Sequence, residues 1–328
     1  MPKHLVPPPP PFSFLVTQQL MSEQTRSCPK AKYEPISLIM GSTFSIQDPQ
    51  GVSATASIVP IFYNIVSMSE QIKQFETIYG NLTLVKGRHA TKTLLARSMF
   101  AVSVGSNDLF GYFESRSTVD PVIFINSLMT AYGCHINVSI YIISNFYSQY
   151  DYREIELKDR HIVKALYNLG ARKFGIIGVP PIGCCPSQRI HNGTGGCLEI
   201  ENTFARAFHS ALDALMKQLA SKLPEMKYAL GNSYEMTINV INQAQLFTKF
   251  YLICADFKSV DTACCGEGWL NAEKTCTPEA NMCSNRDEYL FWDLYHPTQY
   301  AAELAAMTLY NGGPQFVTPI NFAQLVAY

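Results

Sequence analysis

Three short apolar runs, separated by long stretches of helical periodicity, set the tightest limit on how this chain folds. SMFAVSV (98–104), KFGIIGV (173–179) and KYALGN (227–232) read as short buried strands. Between them, REIELKDRHIVKALYNLGA (153–171) carries Ile155, Ile162, Leu166 and Leu169 at helical intervals, with Gly170 as a stop signal. The segment after Pro121 has the length and apolar spacing of a helix, and residues 198–222 form another amphipathic stretch. Alternation of this kind predicts right-handed crossovers and a parallel sheet flanked by helices. In such sheets the working residues lie in loops at the carboxyl ends of the strands.

The chain is long enough, at 328 residues with 47% hydrophobic content, to bury a substantial core. Lys and Arg number 25 against 26 Asp and Glu, and no basic stripe gives a nucleic acid a footing. The longest apolar runs fall well short of the roughly 20 residues of a membrane span, so no transmembrane helix is expected.

Cysteine usage points to an oxidising compartment. Of ten cysteines, seven (Cys184, Cys185, Cys197, Cys264, Cys265, Cys276 and Cys283) fall in two Gly-, Pro- and Asn-rich regions, which suits disulfides. Zinc is the rival, but the CC doublets and the spacing of Cys276 and Cys283 do not match a zinc finger or ribbon, so no metal is expected. Three sequons, at Asn81, Asn137 and Asn192, agree with secretion. The N-terminus does not: MPKHLVPPPPPFSFLVTQQL sets five prolines where a signal peptide has its apolar helix. Residues 1–35 are expected to form a Pro-rich tail without structure, ahead of a single domain over 36–328.

Two motifs carry chemistry. GSND (105–108) directly follows the run 98–104, which puts Asn107 at the carboxyl edge of the sheet, where its amide can donate to an oxyanion. The same four residues are also ordinary turn chemistry. DLYHP (293–297) is more specific: Asp293 can bond one imidazole nitrogen of His296, fix the tautomer and leave the other nitrogen as a general base. Pro297 then falls near the first residue of a helix over TQYAAELAAMTLY. Its alternative is an Asp helix cap with a chance His.

VSMSEQIKQF, SVGSNDLF, ALYNLGARKFGIIGVPPIGCCP, ACCGEG, CSNRDEYLFWDLYHPT and FVTPINFAQL stand in that order along residues 65–328. Together they resemble the plant GDSL esterase/lipase family, a branch of the SGNH hydrolases. The resemblance implies a three-layer α/β/α sandwich with a flavodoxin-like parallel sheet, and a secreted monomer that cleaves a small-molecule or lipid ester without a cofactor. It also implies Asn107 as an oxyanion donor and Asp293 and His296 as the acid and base of a triad. In the family's strand order, 2-1-3-4-5, the first strand is interior. It is missing or replaced here, and ISLIM (36–40) is the one upstream apolar run able to take its place.

The family's nucleophilic serine belongs to a GDSL tetrapeptide, and the string GDS occurs nowhere in the chain. ISLIMGSTFSIQDPQG (36–51) aligns in two ways. As the family's second block it offers the backbone N–H of Gly41 to the oxyanion. As a strand followed by a nucleophile block it offers Ser42 or Thr43. The remaining candidates read as structural: Ser45, Ser106 and Ser284 suit turns, His135, His161, His191 and His209 lack a partner carboxylate, and Cys184 and Cys185 suit disulfides. Two functions follow: a serine ester hydrolase, or a relative that keeps the pocket without the nucleophile.

Overall fold

The computed structural model describes residues 37–41, 68–133, 162–246 and 257–328. Strand β1 (Ser37–Gly41) precedes helices α1 (Met68–Lys86) and α2 (Arg88–Arg97), which lead into β2 (Met99–Ser103). Helices α3 (Ser106–Glu114) and α4 (Pro121–Gly133) follow, and α5 (Ile162–Leu169) runs into β3 (Lys173–Ile177). A single turn, α6 (Pro186–Arg189), precedes the long α7 (Glu199–Lys222), then β4 (Lys227–Gly231) and α8 (Ser233–Leu246). Short strands β5 (Ser259–Ala263), β6 (Cys265–Gly266), β7 (Asn281–Met282) and β8 (Tyr289–Phe291) come next. The chain closes with α9 (Gln299–Asn311), β9 (Val317–Thr318) and α10 (Phe322–Ala327).

The main sheet has the order β1-β2-β3-β4-β9, with the first four strands parallel and β9 antiparallel to β4. Its register is level: Gly41, Ser103, Ile177 and Gly231 stand side by side at the carboxyl ends. Side chains alternate between its faces. Phe100, Val102, Phe174, Ile176, Tyr228 and Leu230 enter one core with Phe75, Leu166, Phe208 and Leu212 of the covering helices. Ala229 joins Phe322, Leu325 and Leu309 in a second core, against which Met99 and Ile177 pack. Helices therefore cover both faces, and the architecture is the three-layer α/β/α sandwich. Gly175 is tied to this layering, since a Cβ there would lie 2.9 Å from the Phe322 ring.

Helix α7 shows why the sequence pattern was readable. Its buried residues Phe204, Phe208, Leu212, Leu215 and Leu219 recur three or four apart, the spacing of one helix face. Each such side chain contributes about 1.5–3 kcal/mol when fully buried.

SLIMG does take the place beside the GSND strand. It runs parallel along all of β2. Among the described residues no strand flanks its outer side, so it is an edge strand there rather than the interior strand that the order 2-1-3-4-5 implies. The helix expected over 153–171 is seen from Ile162, with its earlier part and the tail 1–35 outside the described residues.

Two local expectations are corrected. GSND is not a free loop: Gly105, at φ 117°, caps α3, and Asn107 is the second residue of that helix. Only glycine turns the chain here without strain, and a Cβ would meet the Phe208 ring at 2.6 Å. Pro297 does not open a helix either. Thr298 is the cap of α9, its hydroxyl accepting the N–H of Ala301.

Candidate active site

The DLYHP segment links β8 to α9 as a loop with a closed neck. The Trp292 N–H donates to the His296 carbonyl at 2.8 Å, and the Thr298 N–H donates to the Leu290 carbonyl at 3.0 Å. Thr298 adds a hydroxyl bond to the Tyr289 carbonyl at 2.8 Å. Within the loop, Asp293 Oδ1 accepts the backbone N–H groups of Tyr295 at 2.9 Å and His296 at 2.8 Å. The same carboxylate lies 2.9 Å from His296 Nδ1 through each of its oxygens. An ionised carboxylate only accepts, so Nδ1 carries a proton, and in the neutral imidazole Nε2 presents its lone pair. Asp293 is therefore not a helix cap. The imidazole is 72% exposed and the carboxylate 23%.

The electrostatics follow from those bonds. Burial alone would raise the Asp293 carboxyl, but bonds from the His296 ring and from the N–H groups of Tyr295 and His296 outweigh it and hold it below its ordinary value. The bond to Asp293 raises His296, with partial burial opposing. The pair thus favours the charged form of both partners.

Asn107 is exposed in the first turn of α3. One turn further along this helix, the Phe110 ring meets the Tyr295 ring edge-on, with centroids 5.2 Å apart. Through that contact the Asn107 helix and the Asp293–His296 loop come together. Gly41 ends β1 level with Ser103, at the same edge of the sheet from which α3 departs. Ser42, Thr43 and Ser45 lie outside the described residues, as do His135 and His161.

Among the described residues three disulfides form, Cys184–Cys197, Cys264–Cys283 and Cys265–Cys276, and the Cys264 and Cys265 N–H groups donate to the carbonyls of Phe291 and Trp292 ahead of the loop. Cys185 departs from expectation, being a buried free thiol. Burial, reinforced by the Glu201 carboxylate, pushes that thiol up to about 12. It is therefore a poor nucleophile, since only the thiolate attacks.

Several contributors were missed by sequence reasoning. Tyr295 packs against Phe110, the Leu294 carbonyl accepts the Ser187 N–H at 3.1 Å, and Arg189 donates from Nε to the Cys184 carbonyl at 2.8 Å and from Nη1 to the Gly195 carbonyl at 2.9 Å. Glu201, at the start of α7, is 4% exposed, and its Oε2 lacks a hydrogen-bond partner among the described residues. Burial and the nearby Glu114 raise its carboxyl to about 7. The one available signal was the aromatic in the DLYHP string, because long-range contacts of this kind leave no local pattern. No helix among the described residues is long and apolar enough to cross a membrane.

Residues 41–309 match the family model of GDSL-like lipase/acylhydrolase. The chain is 30% identical over 291 residues to the Arabidopsis thaliana protein called GDSL esterase/lipase At1g71250, covering 84% of this chain and 68% of that one. It is 29% identical to GDSL esterase/lipase At5g08460 of the same plant, over 79% of this chain and 61% of that one. With GDSL esterase/lipase At4g28780, also from Arabidopsis thaliana, the identity is 24% over 95% of this chain and 77% of that one. The chain thus spans about three fifths to three quarters of the length of these relatives.

Proposed function

Because this chain belongs to the GDSL-like lipase/acylhydrolase family, we propose that it hydrolyses carboxylic esters through a serine acyl-enzyme. The observation that carries this reading is the 2.9 Å bond between Asp293 and His296 Nδ1, which leaves Nε2 free of protein partners among the described residues. In the proposed reaction Nε2 takes the proton of a serine hydroxyl as its oxygen attacks the ester carbonyl carbon. The Asn107 amide stabilises the oxyanion that forms. Collapse expels the alkoxide, which takes the proton back from the imidazolium and leaves the acyl group on serine. Water then repeats the sequence and releases the acid. Asp293 stabilises the imidazolium without itself taking the proton.

With β1 taken as the strand ahead of the nucleophile block, Ser42, which directly follows Gly41, is the candidate nucleophile, with Thr43 beside it. A small-molecule or lipid ester is the proposed substrate, with no cofactor. A monomer secreted into an oxidising compartment suits the three disulfides.

One observation favours a second reading, a relative that keeps the acid–base pair and lacks a working nucleophile: the tetrapeptide GDSL is absent. Labelling with a fluorophosphonate, alongside hydrolysis of p-nitrophenyl butyrate, separates the two. Labelling that is lost in Ser42→Ala and in His296→Ala supports the hydrolase. No labelling and no hydrolysis beyond buffer supports the second reading.

A further inference from the structure

The backbone bonds that close the DLYHP loop all lie at its neck, between residues 289–292 and 296–298. Its tip is held sideways, and mostly through one residue. The Tyr295 ring meets Phe110 of α3 at 5.2 Å with an interplanar angle of 67°. The Ser187 side chain lies near enough to its hydroxyl to favour the phenolate. Its carbonyl accepts a weak bond from the Cys185 thiol at 3.8 Å, and its N–H donates to Asp293 Oδ1 at 2.9 Å. The adjacent Leu294 carbonyl accepts the Ser187 N–H at 3.1 Å. That partner turn is itself immobilised by the Cys184–Cys197 disulfide and by Arg189.

Packing alone does not account for this side chain, because Tyr295 is 37% exposed and belongs to neither core. Its ring centroid lies 6.4 Å from that of His296. A wedge between two rigid walls, one of them the Asn107 helix, fixes the loop that carries the base relative to the oxyanion donor. A base displaced by about 1 Å can cost on the order of 100-fold in rate.

We propose that Tyr295 is a positioning residue for His296: it clamps the acid–base loop between α3 and the Cys185–Ser187 turn, and so sets where Nε2 is presented. This rests on the ester-hydrolase reading, and it acts through geometry rather than through contact with substrate. The ionisable groups that face Tyr295 are Glu114 from α3, Cys185 from the turn, and Asp293 and His296 from its own loop.

The test compares the full chain with Tyr295→Ala, Tyr295→Phe and Asp293→Asn, following the His296 ring by NMR through a pH titration and ester hydrolysis by kcat and KM. Tyr295→Ala is expected to move the His296 midpoint down toward its ordinary value and to lower kcat by roughly tenfold or more, with KM nearly constant. Tyr295→Phe, which keeps the wedge, is expected to recover most of both. A His296 midpoint that is unmoved in Tyr295→Ala but falls in Asp293→Asn would overturn the proposal. If the unaltered chain hydrolyses no ester, only the hydrolase reading fails, and the titration still decides the role of Tyr295. If Tyr295→Ala does not fold, Phe110→Leu withdraws the facing ring from the other side, and an unmoved midpoint there overturns the proposal equally.

Discussion

Asp293 holds His296 twice, at the backbone N–H over 2.8 Å and at ring Nδ1 over 2.9 Å. One carboxylate therefore shapes the loop and orients the imidazole it carries.

Opposite pKa shifts in this pair give a pH signature. His296 is raised above 6.5, so its stabilising contribution is complete below that value and lost as pH climbs through the folded value. Asp293 is depressed below 3.8, so its contribution is present above that value and lost as pH falls through the folded one. The pair stabilises most between those limits. The proposed hydrolysis needs neutral His296, so kcat/KM is expected to rise with pH along a limb whose midpoint lies above 6.5. In Asp293→Asn that limb should move down while the rate falls by about 10⁴-fold.

Asn107→Ala is expected to lower kcat by about 10²–10³-fold, the cost of one oxyanion donor. Because the side chain is exposed, the thermal midpoint should hardly move. Equal losses in rate and stability would assign Asn107 to the helix start instead.

Cys185 should escape alkylation in the folded protein. With its thiol pushed up to about 12 and its side chain buried, iodoacetamide at mildly alkaline pH is expected to leave it unmodified. Denaturation without reduction should expose it, which peptide mass spectrometry reads directly.

Glu201 sets a second pH dependence. Its folded value, about 7, lies above the ordinary one, so the protein is favoured below pH 4.5 and loses that contribution as pH rises toward and past 7. Glu201→Gln should stabilise the protein at pH 8 by on the order of 1–3 kcal/mol and change little at pH 5. Urea midpoints at the two pH values measure this.

Much of the sheet was legible because its strands are short apolar runs bounded by Gly or Pro, and α7 because its apolar residues keep one face. The Asp293–His296 pair was legible for the same reason: both partners lie within one turn of chain. GSND misled because Gly105, Ser106 and Asn107 have turn composition, while the helix they begin is decided by Phe110, Leu109 and Tyr112 packing beneath it. Composition likewise placed Cys185 among the bridged cysteines, whereas pairing depends on which loops fold together. The Phe110–Tyr295 contact joins segments far apart in the chain, and no local pattern announces such a meeting.

The cross-links are unevenly distributed. All three described disulfides lie in segments 184–197 and 264–283, and none joins two strands of the main sheet. Two of their cysteines touch the strand that leads into the Asp293–His296 loop, the Cys264 and Cys265 N–H groups donating to the carbonyls of Phe291 and Trp292, and the free Cys185 beside bridged Cys184 reaches Tyr295. A reducing environment would therefore slacken the working rim while the sandwich beneath it stays assembled. Such a protein would keep its circular dichroism and lose the proposed ester hydrolysis, so a structural assay of material made in a reducing cytosol would pass molecules that an activity assay rejects.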